Sequence, residues 1–389
     1  MEFYSMFQSI IILNIVRRNL MKVLVTGGGT GGHIYPALAV INILNKKYPK
    51  AETLYVGTST GMEQKIVPEK GLDFTTINAR GLPRKLNKDL LYFSRDLMKG
   101  INQSKRIIKE FTPDVVLGTG GYVCGPVLLA AKKFRIPTVI HEQNAIPGIT
   151  NKYLSRMVDY TCVSFPESKK YFKKAKNIIV TGNPRAEELN QKSQDEALKS
   201  FDLSANKKTI LIVSGSRGAQ VINKIMSQAI PEILTSSNKI QIIYVTGNEY
   251  YDDIKSEIEN NIDYTSVDNL KFYPYLKNMP DALASADLVV SRAGATTLAE
   301  LTAAGKPSIL IPSPNVTNNH QMVNASILAQ RGAAKLIEEN NLTKEKVTEV
   351  LNEIILDEEK LNEMKKLNFE LGYPKAASNV CDVLSSFIG

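Results

Sequence analysis

Cysteine is scarce in this chain: three in 389 residues, Cys124, Cys162 and Cys381. They are odd in number, far apart and without paired metal spacing, which excludes a disulfide scaffold and points to a reducing compartment. There is no Asp-x-Asp pair and no His/Cys ligand cluster, so neither a catalytic metal nor any other cofactor is expected. No G-x-S-x-G elbow offers a seat for a Ser-His-Asp nucleophile. No apolar run approaches the roughly 20 residues that span a bilayer; the longest near the start, "IIILNIV", is far too short. Residues 1–20 also fail as a signal peptide, because Arg17 and Arg18 follow the apolar stretch and no small-residue cleavage site is present. Met21 reads as the natural start. The leader is then an upstream-start artefact or a short interfacial anchor.

What is present is enough for two cores. With 389 residues and 43% hydrophobic content, the chain exceeds the size at which one core keeps growing. The net charge of +9 is unevenly spread: residues 1–190 hold 28 Lys and Arg against 14 Asp and Glu, giving +14, and the remainder holds 20 against 25, giving −5. The basic residues follow no helix-turn-helix, zinc-finger or aromatic RNA-binding signature, so nucleic acid is not the expected partner. An anionic lipid surface suits a basic, partly apolar half better.

A buried strand, a Gly-rich turn and an amphipathic helix recur four times: "KVLVTGGGTGGHIYPALAVINIL", "DVVLGTGGYVCGPVLLAAKK", "TILIVSGSRGAQVINKIM" and "DLVVSRAGATTLAELTAAGKPSILIP". Further strands lie at "TLYVGT", "PTVIHEQN", "NIIVTGNP" and "QIIYVTGN". Such alternation predicts an α/β fold of two Rossmann-like domains with parallel sheets, facing each other across a cleft with ligands at the carboxyl ends of the strands. The expected divisions are a leader at 1–20, an N-terminal domain at 21–185, a linker at 186–204, a C-terminal domain at 205–370, and a last helix at 371–389 that packs back on the first domain.

The first loop, "LVTGGGTGGHIYP", has the G-x-G-x-x-G spacing of a dinucleotide turn in Gly27, Gly29 and Gly32. That reading needs an acid at the end of the next strand to hold a ribose, and the strand ends in Gly57 and Thr58. What remains is a loop whose amides can approach an oxyanion or a sugar. His33 follows it, with Pro36 placed as the first helical residue. As one of only three histidines, with His141 and His320, His33 is a general-base candidate or a packing histidine. "GTGGYVCGP" places Tyr122 among four glycines, and "HEQN" groups His141, Glu142, Gln143 and Asn144 as four hydrogen-bonding side chains suited to a polyhydroxylated ligand. In the second half, Ser214, Ser216 and Gly218 sit where a helix begins and its amides can meet a diphosphate. Thr297 and Glu300 have capping-box spacing, which competes with a ribose-binding role for Glu300.

These segments, with "TGNPR" and "RAGATTLAELTAAGKPSILIPSP...NNHQMVNA", resemble the MurG family of bacterial cell-wall glycosyltransferases from Met21 to the C-terminus, six motifs in order. The resemblance implies a GT-B fold and inverting transfer of N-acetylglucosamine from UDP-GlcNAc to the 4-hydroxyl of the MurNAc-pentapeptide on undecaprenyl diphosphate, converting lipid I to lipid II. Donor binding falls to the second domain and acceptor docking to the first. Thr30, Gly31 and Gly32 would line the reaction centre, His33 would be the base and Tyr122 a substrate contact. Asn144 would meet the donor sugar, Ser216 the diphosphate and Leu276 the uracil edge. Ala295, Thr296, Thr297 and Glu300 would form the nucleotide pocket, and Gln321 would hold the sugar. Some relatives have an extra residue between the proline and arginine of "GNP", whereas Arg185 follows Pro184 directly, so its role as a diphosphate ligand is left open. His320 is given no catalytic role.

The resemblance also implies a peripheral protein on the cytoplasmic face of the bacterial membrane, acting in peptidoglycan synthesis, cell shape and division, with cell-wall synthesis and division proteins as partners. A candidate docking stretch is "GLPRKLNKDLLYFSRDLMKG", where Leu82, Leu86, Leu90, Phe93 and Leu97 alternate with Arg84, Lys85, Lys88 and Arg95; a helix packed on the core is the competing reading. Two rival functions remain: a related transferase acting on another lipid such as diacylglycerol, and a non-catalytic UDP-sugar binding protein.

Overall fold

A computed structural model of the chain describes residues 21–81, 89–189, 192–215, 218–260 and 268–388. The leader at 1–20 and Leu82, Arg84, Lys85, Leu86 and Lys88 of the docking stretch lie outside the described residues. The chain divides into two units, Met1–Glu188 with Lys375–Gly389, and Leu189–Pro374. Among the described residues no helix is long and apolar enough to cross a membrane.

In the first unit seven strands, β1 (Lys22–Thr26), β2 (Glu52–Gly57), β3 (Phe74–Thr76), β4 (Val115–Gly118), β5 (Thr138–Glu142), β6 (Tyr160–Val163) and β7 (Ile178–Val180), form one sheet in the order β3-β2-β1-β4-β5-β6-β7. Every pairing is parallel. The central strands read as unbroken apolar runs because both faces are covered. Val23, Val25, Leu117 and Val139 join a core with helices Gly31–Lys47 and Ala376–Ser385. Leu24, Val116 and Ile140 point the other way, into a core with Val127 and Leu128 of helix Cys124–Lys133. The last helix belongs to this unit: Val380, Cys381 and Leu384 are fully buried, and Lys47 pairs with Asp382 at 3.0 Å.

In the second unit β8 (Lys208–Val213), β9 (Ile240–Val245), β10 (Leu270–Tyr273), β11 (Leu288–Ser291), β12 (Ser308–Leu310) and β13 (Ala334–Leu336) form a parallel sheet in the order β10-β9-β8-β11-β12-β13. The strand order reverses between β1 and β4 in one unit and between β8 and β11 in the other. Beyond the carboxyl ends of such switch points, α/β sheets bind their ligands.

The stretch 186–204, expected to be a linker, is largely folded. Pro184–Glu188 is a 3-10 turn ending the first unit, and Ser193 caps helix Gln194–Lys199 through a capping box with Glu196. That helix buries Ala197 and Leu198, and Lys192 pairs with the fully buried Asp281 at 2.6 Å. The capping box and the ion pair just before it use the polar residues of this helix-prone stretch, so the segment between the units is itself folded.

Candidate active site

At the β1/β4 switch point two glycine loops lie against each other. Gly28 N–H donates to Gly120 O at 3.2 Å. A Cβ on Gly121, whose φ is +84°, would stand 2.3 Å from Gly28 O, and one on Gly120, with φ +115°, would stand 2.7 Å from the His33 ring. Only glycine permits this approach. Thr119 Oγ1 donates to His33 O at 2.8 Å, and Tyr55 OH donates to Gly27 O at 2.8 Å, so both loops are pinned from below.

The helix after the first loop starts at Gly31, with Thr30 as its N-cap. Pro36 is therefore inside the helix, not its first residue as the sequence suggested. It sits where the carbonyl four residues back is that of Gly32, so the missing N–H falls in the opening turns, next to two residues without side chains. His33 thus occupies the first turn. Its Nδ1 lies 2.9 Å from Gly28 O. A carbonyl only accepts, so Nδ1 carries a proton, which in the neutral ring leaves the lone pair on Nε2. Thr30 and Gly32 are exposed, Gly31 and His33 half-buried. These residues have come together as a loop that presents amides and one basic nitrogen.

The "HEQN" group is mostly spent inside the protein. His141 is fully buried, its Nε2 donates to Gly182 O at 2.9 Å, and burial pulls its pKa down to about 4. Glu142 accepts from Asn144 N, Gly148 N and Asn151 Nδ2 at 3.0, 3.1 and 3.0 Å, and Gln143 Nε2 donates to Thr119 O at 2.8 Å. The expectation of four side chains offered to a sugar is corrected: His141, Glu142 and Gln143 brace the second glycine loop and the turn after β5. Asn144 alone of the four is half-exposed. Tyr122 is half-buried beside Gly29, whose Cβ would meet its ring at 3.4 Å. Arg185 pairs with Glu188 and lies over the Tyr35 ring at 5.6 Å, engaged within its own unit.

In the second unit, Ser216 lies outside the described residues. The loop that holds it is shaped by Gly215 (φ +93°) and Gly218 (φ +75°); a Cβ on Gly218 would stand 2.2 Å from Thr246 O, which packs this loop on the one after β9. The helix begins later than expected, at Gln220, with Ala219 as its cap. Ser214 Oγ lies 3.3 Å from Asn223 Oδ1. After β11, helix Ala295–Ala303 is capped by Gly294 without any side-chain cap bond. Thr297 is therefore inside the first turn rather than at the cap, and the capping-box reading of Thr297 and Glu300 is overturned. Glu300 is 9% exposed, Ala295 7%, and Thr296 and Thr297 are half-buried. The amides at this helix start meet no capping side chain, and an anion is the natural partner of such a terminus. Leu276 is buried, and Gln321 Oε1 accepts from Ser313 N at 2.9 Å, tying the helix His320–Gln330 to the loop after β12.

The N-terminal domain of glycosyltransferase family 28 matches residues 23–163, and its C-terminal domain matches 209–380. The chain belongs to glycosyltransferase family 28. It is 60% identical over 368 residues to a UDP-N-acetylglucosamine–N-acetylmuramyl-(pentapeptide) pyrophosphoryl-undecaprenol N-acetylglucosamine transferase of Natranaerobius thermophilus, covering 95% of this chain and all of that one. It is 46% identical, with the same coverage, to the transferase of that name from Bacillus cytotoxicus. Among solved structures it is similar to Acinetobacter baumannii MurG, with a TM-score of 0.75 and 29% identity over 94% of this chain and 99% of that one. As a member of family 28 the chain is a glycosyltransferase.

Two features of this family 28 chain escaped the sequence reading. Arg292, just after β11, donates to Ile311 O at 3.1 Å and pairs with Glu339, clamping the carboxyl ends of neighbouring strands. In the first unit a cavity of about 430 Å³ opens between helices Asp89–Phe111, Cys124–Lys133 and Ile149–Leu154. Phe93 and Leu97 of the docking stretch line it together with Tyr122, Ile149 and Tyr153. The large apolar residues turned to solvent are others: Leu91, Tyr92 and Met98, with Ile149 and Tyr153. Arg95 and Lys99 are exposed on the same helix. Its seven-residue spacing puts Leu91 and Met98 on one face, while Phe93 and Leu97 fall on another.

Proposed function

We propose that this chain transfers N-acetylglucosamine from UDP-GlcNAc to the 4-hydroxyl of the N-acetylmuramyl-pentapeptide on undecaprenyl diphosphate, lipid I, to give lipid II in peptidoglycan synthesis. The observation that carries the mechanism is His33, held by Gly28 O with Nε2 left as an acceptor at the junction of two glycine loops. Nε2 takes the proton of the acceptor hydroxyl as its oxygen attacks the anomeric carbon from the face opposite the diphosphate. The bond from that carbon to the diphosphate breaks, UDP leaves with the electron pair, and the configuration inverts. The second unit supplies the donor site: the start of helix Ala295–Ala303, which has no side-chain cap, and the loop after β8 bind the diphosphate, and Glu300 binds the ribose. Thr30, Gly31, Gly32, Tyr122, Asn144, Leu276, Ser216 and Gln321 keep the substrate contacts that the family resemblance implies, while Arg185 is engaged by Glu188 and the Tyr35 ring.

The exposed Leu91, Tyr92, Met98, Ile149 and Tyr153 among basic side chains support a peripheral seat on an anionic membrane, on the cytoplasmic face where the acceptor is made. Roles in cell shape and division, and contacts with other cell-wall proteins, follow from that seat and from the pathway. Label from UDP-GlcNAc is expected to pass to lipid I and not to diacylglycerol when both are offered to the purified protein in mixed micelles. Labelled diacylglycerol would replace this acceptor by another lipid.

A further inference from the structure

Beneath the first glycine loop lies a carboxylate that the mechanism above does not use. Glu63 opens helix Glu63–Glu69 and is fully buried. Its oxygens accept from Thr58 N–H at 3.0 Å, Thr58 O–H at 2.8 Å and Gly29 N–H at 3.2 Å. Glycine makes the room: a Cβ on Gly28, Gly57 or Gly61 would come within 2.6, 2.5 or 2.2 Å of the Glu63 side chain. Burying an acid is costly unless donors surround it, and here every donor is neutral.

The Gly28–Gly29 peptide links this acid to the histidine. Its N–H, on Gly29, donates to Glu63, and its carbonyl, on Gly28, accepts from His33 Nδ1 at 2.9 Å. Negative charge at the N–H end polarises an amide and makes its carbonyl a stronger acceptor, as in any hydrogen-bonded chain at low dielectric. We infer that Glu63 is a positioning residue for His33: through one peptide unit it fixes the Nδ1–H tautomer and stabilises the imidazolium formed when Nε2 takes a proton. The inference rests on His33 being the base of the proposed reaction. A carboxylate usually orients a histidine by touching it; here a backbone amide stands between.

The other ionisable groups close to Glu63 are Tyr55 and Cys124, both pushed up by burial, Cys124 to about 12, so neither titrates where an imidazole does. Both bond the same loops, Tyr55 at Gly27 O and Cys124 at Thr26 O and Gly120 O. Against the His33 ring stand the uncharged Thr30 hydroxyl at 3.5 Å and Gly120, which has no side chain. Neither carries a charge, and Glu63 reaches this histidine through the Gly28–Gly29 peptide.

The test is the pH–rate profile of lipid I glycosylation by the full chain carrying Glu63→Gln, beside the wild type and His33→Ala. A Gln amide cannot accept from both Thr58 and Gly29, so the relay is cut with little change in volume. The expected result is kcat lower by about 10-fold, an acidic limb moved to lower pH, and an unchanged KM for UDP-GlcNAc. A loop merely loosened would lower the rate at every pH and leave the limb in place, and that result overturns the inference while the base reading stands. Activity of His33→Ala within a few-fold of wild type overturns the base reading itself. Should Glu63→Gln fail to fold, imidazole ¹⁵N spectra of the wild type, with His33→Ala for assignment, decide the matter: a proton on Nδ1 of neutral His33 supports the relay, and a proton on Nε2 contradicts it.

Discussion

His33, in the first turn of the helix after β1, and His141, within β5, both bond to backbone carbonyls, yet burial separates their environments. His33 is half-exposed and keeps Nε2 as an acceptor, whereas His141 is enclosed, with Nε2 on Gly182 O and Nδ1 beside Gln143. The His141 pKa of about 4 in the folded chain lies below the ordinary 6.5. Its contribution to stability is therefore complete above pH 6.5 and is lost as pH falls from there through 4, on the order of 3 kcal/mol in all. Urea unfolding at pH 7 and pH 4.5 is expected to show this loss, and His141→Gln to flatten it; an equal slope in both proteins would contradict the assignment. Residue identity made the histidines legible in the sequence, because there are only three. It could not separate them, since the difference lies in tertiary burial: His141 is enclosed and bonded to Gly182, 41 residues away, beyond β7. Glu63 was illegible for a related reason: nothing local marks it, and its partner Gly29 belongs to another strand's loop. The ribose acid sought after β2 has its counterpart here in an acid that turns back on the glycine loop.

Among elements, the long central strands and the glycine turns were readable, because parallel strands buried on both faces leave continuous apolar runs. The elements missed were β3, β6, β10 and β13, of three or four residues each; β3, β10 and β13 are sheet edges, where one side has no partner and little apolar sequence is needed. Helix starts were misplaced at Pro36, Ser214 and Thr297 because loop geometry, not a capping side chain, sets them. The helix Asp89–Phe111 carries the sharpest such lesson: its stripe of Phe93 and Leu97 lines a cavity, and the face left in water is that of Leu91 and Met98. Replacing Leu91 and Tyr153 together by Ser is expected to lower flotation with phosphatidylglycerol vesicles by at least about 10-fold, given the apolar area each side chain would bury. Transfer to a short-chain soluble acceptor should be unaffected. Flotation equal to wild type would remove this face from membrane docking.

At the scale of the whole chain, the charge is split, +14 for residues 1–190 and −5 for the rest. The first unit combines the histidine, the paired glycine loops and an apolar, basic rim; the second combines glycine turns with a helix start that has no side-chain cap. Division into two α/β halves was legible from four repeated strand–turn–helix segments, and the joins at Leu189 and Pro374 fall within the expected linker at 186–204 and last helix at 371–389. We propose that family 28 chemistry in this chain runs through His33. The most direct test of this proposal compares wild type and His33→Ala for label transfer from UDP-GlcNAc to lipid I, with donor affinity measured by calorimetry on the same preparations. The account predicts transfer reduced by about 10²–10⁴-fold with UDP-GlcNAc binding unchanged; turnover within a few-fold of wild type would contradict it.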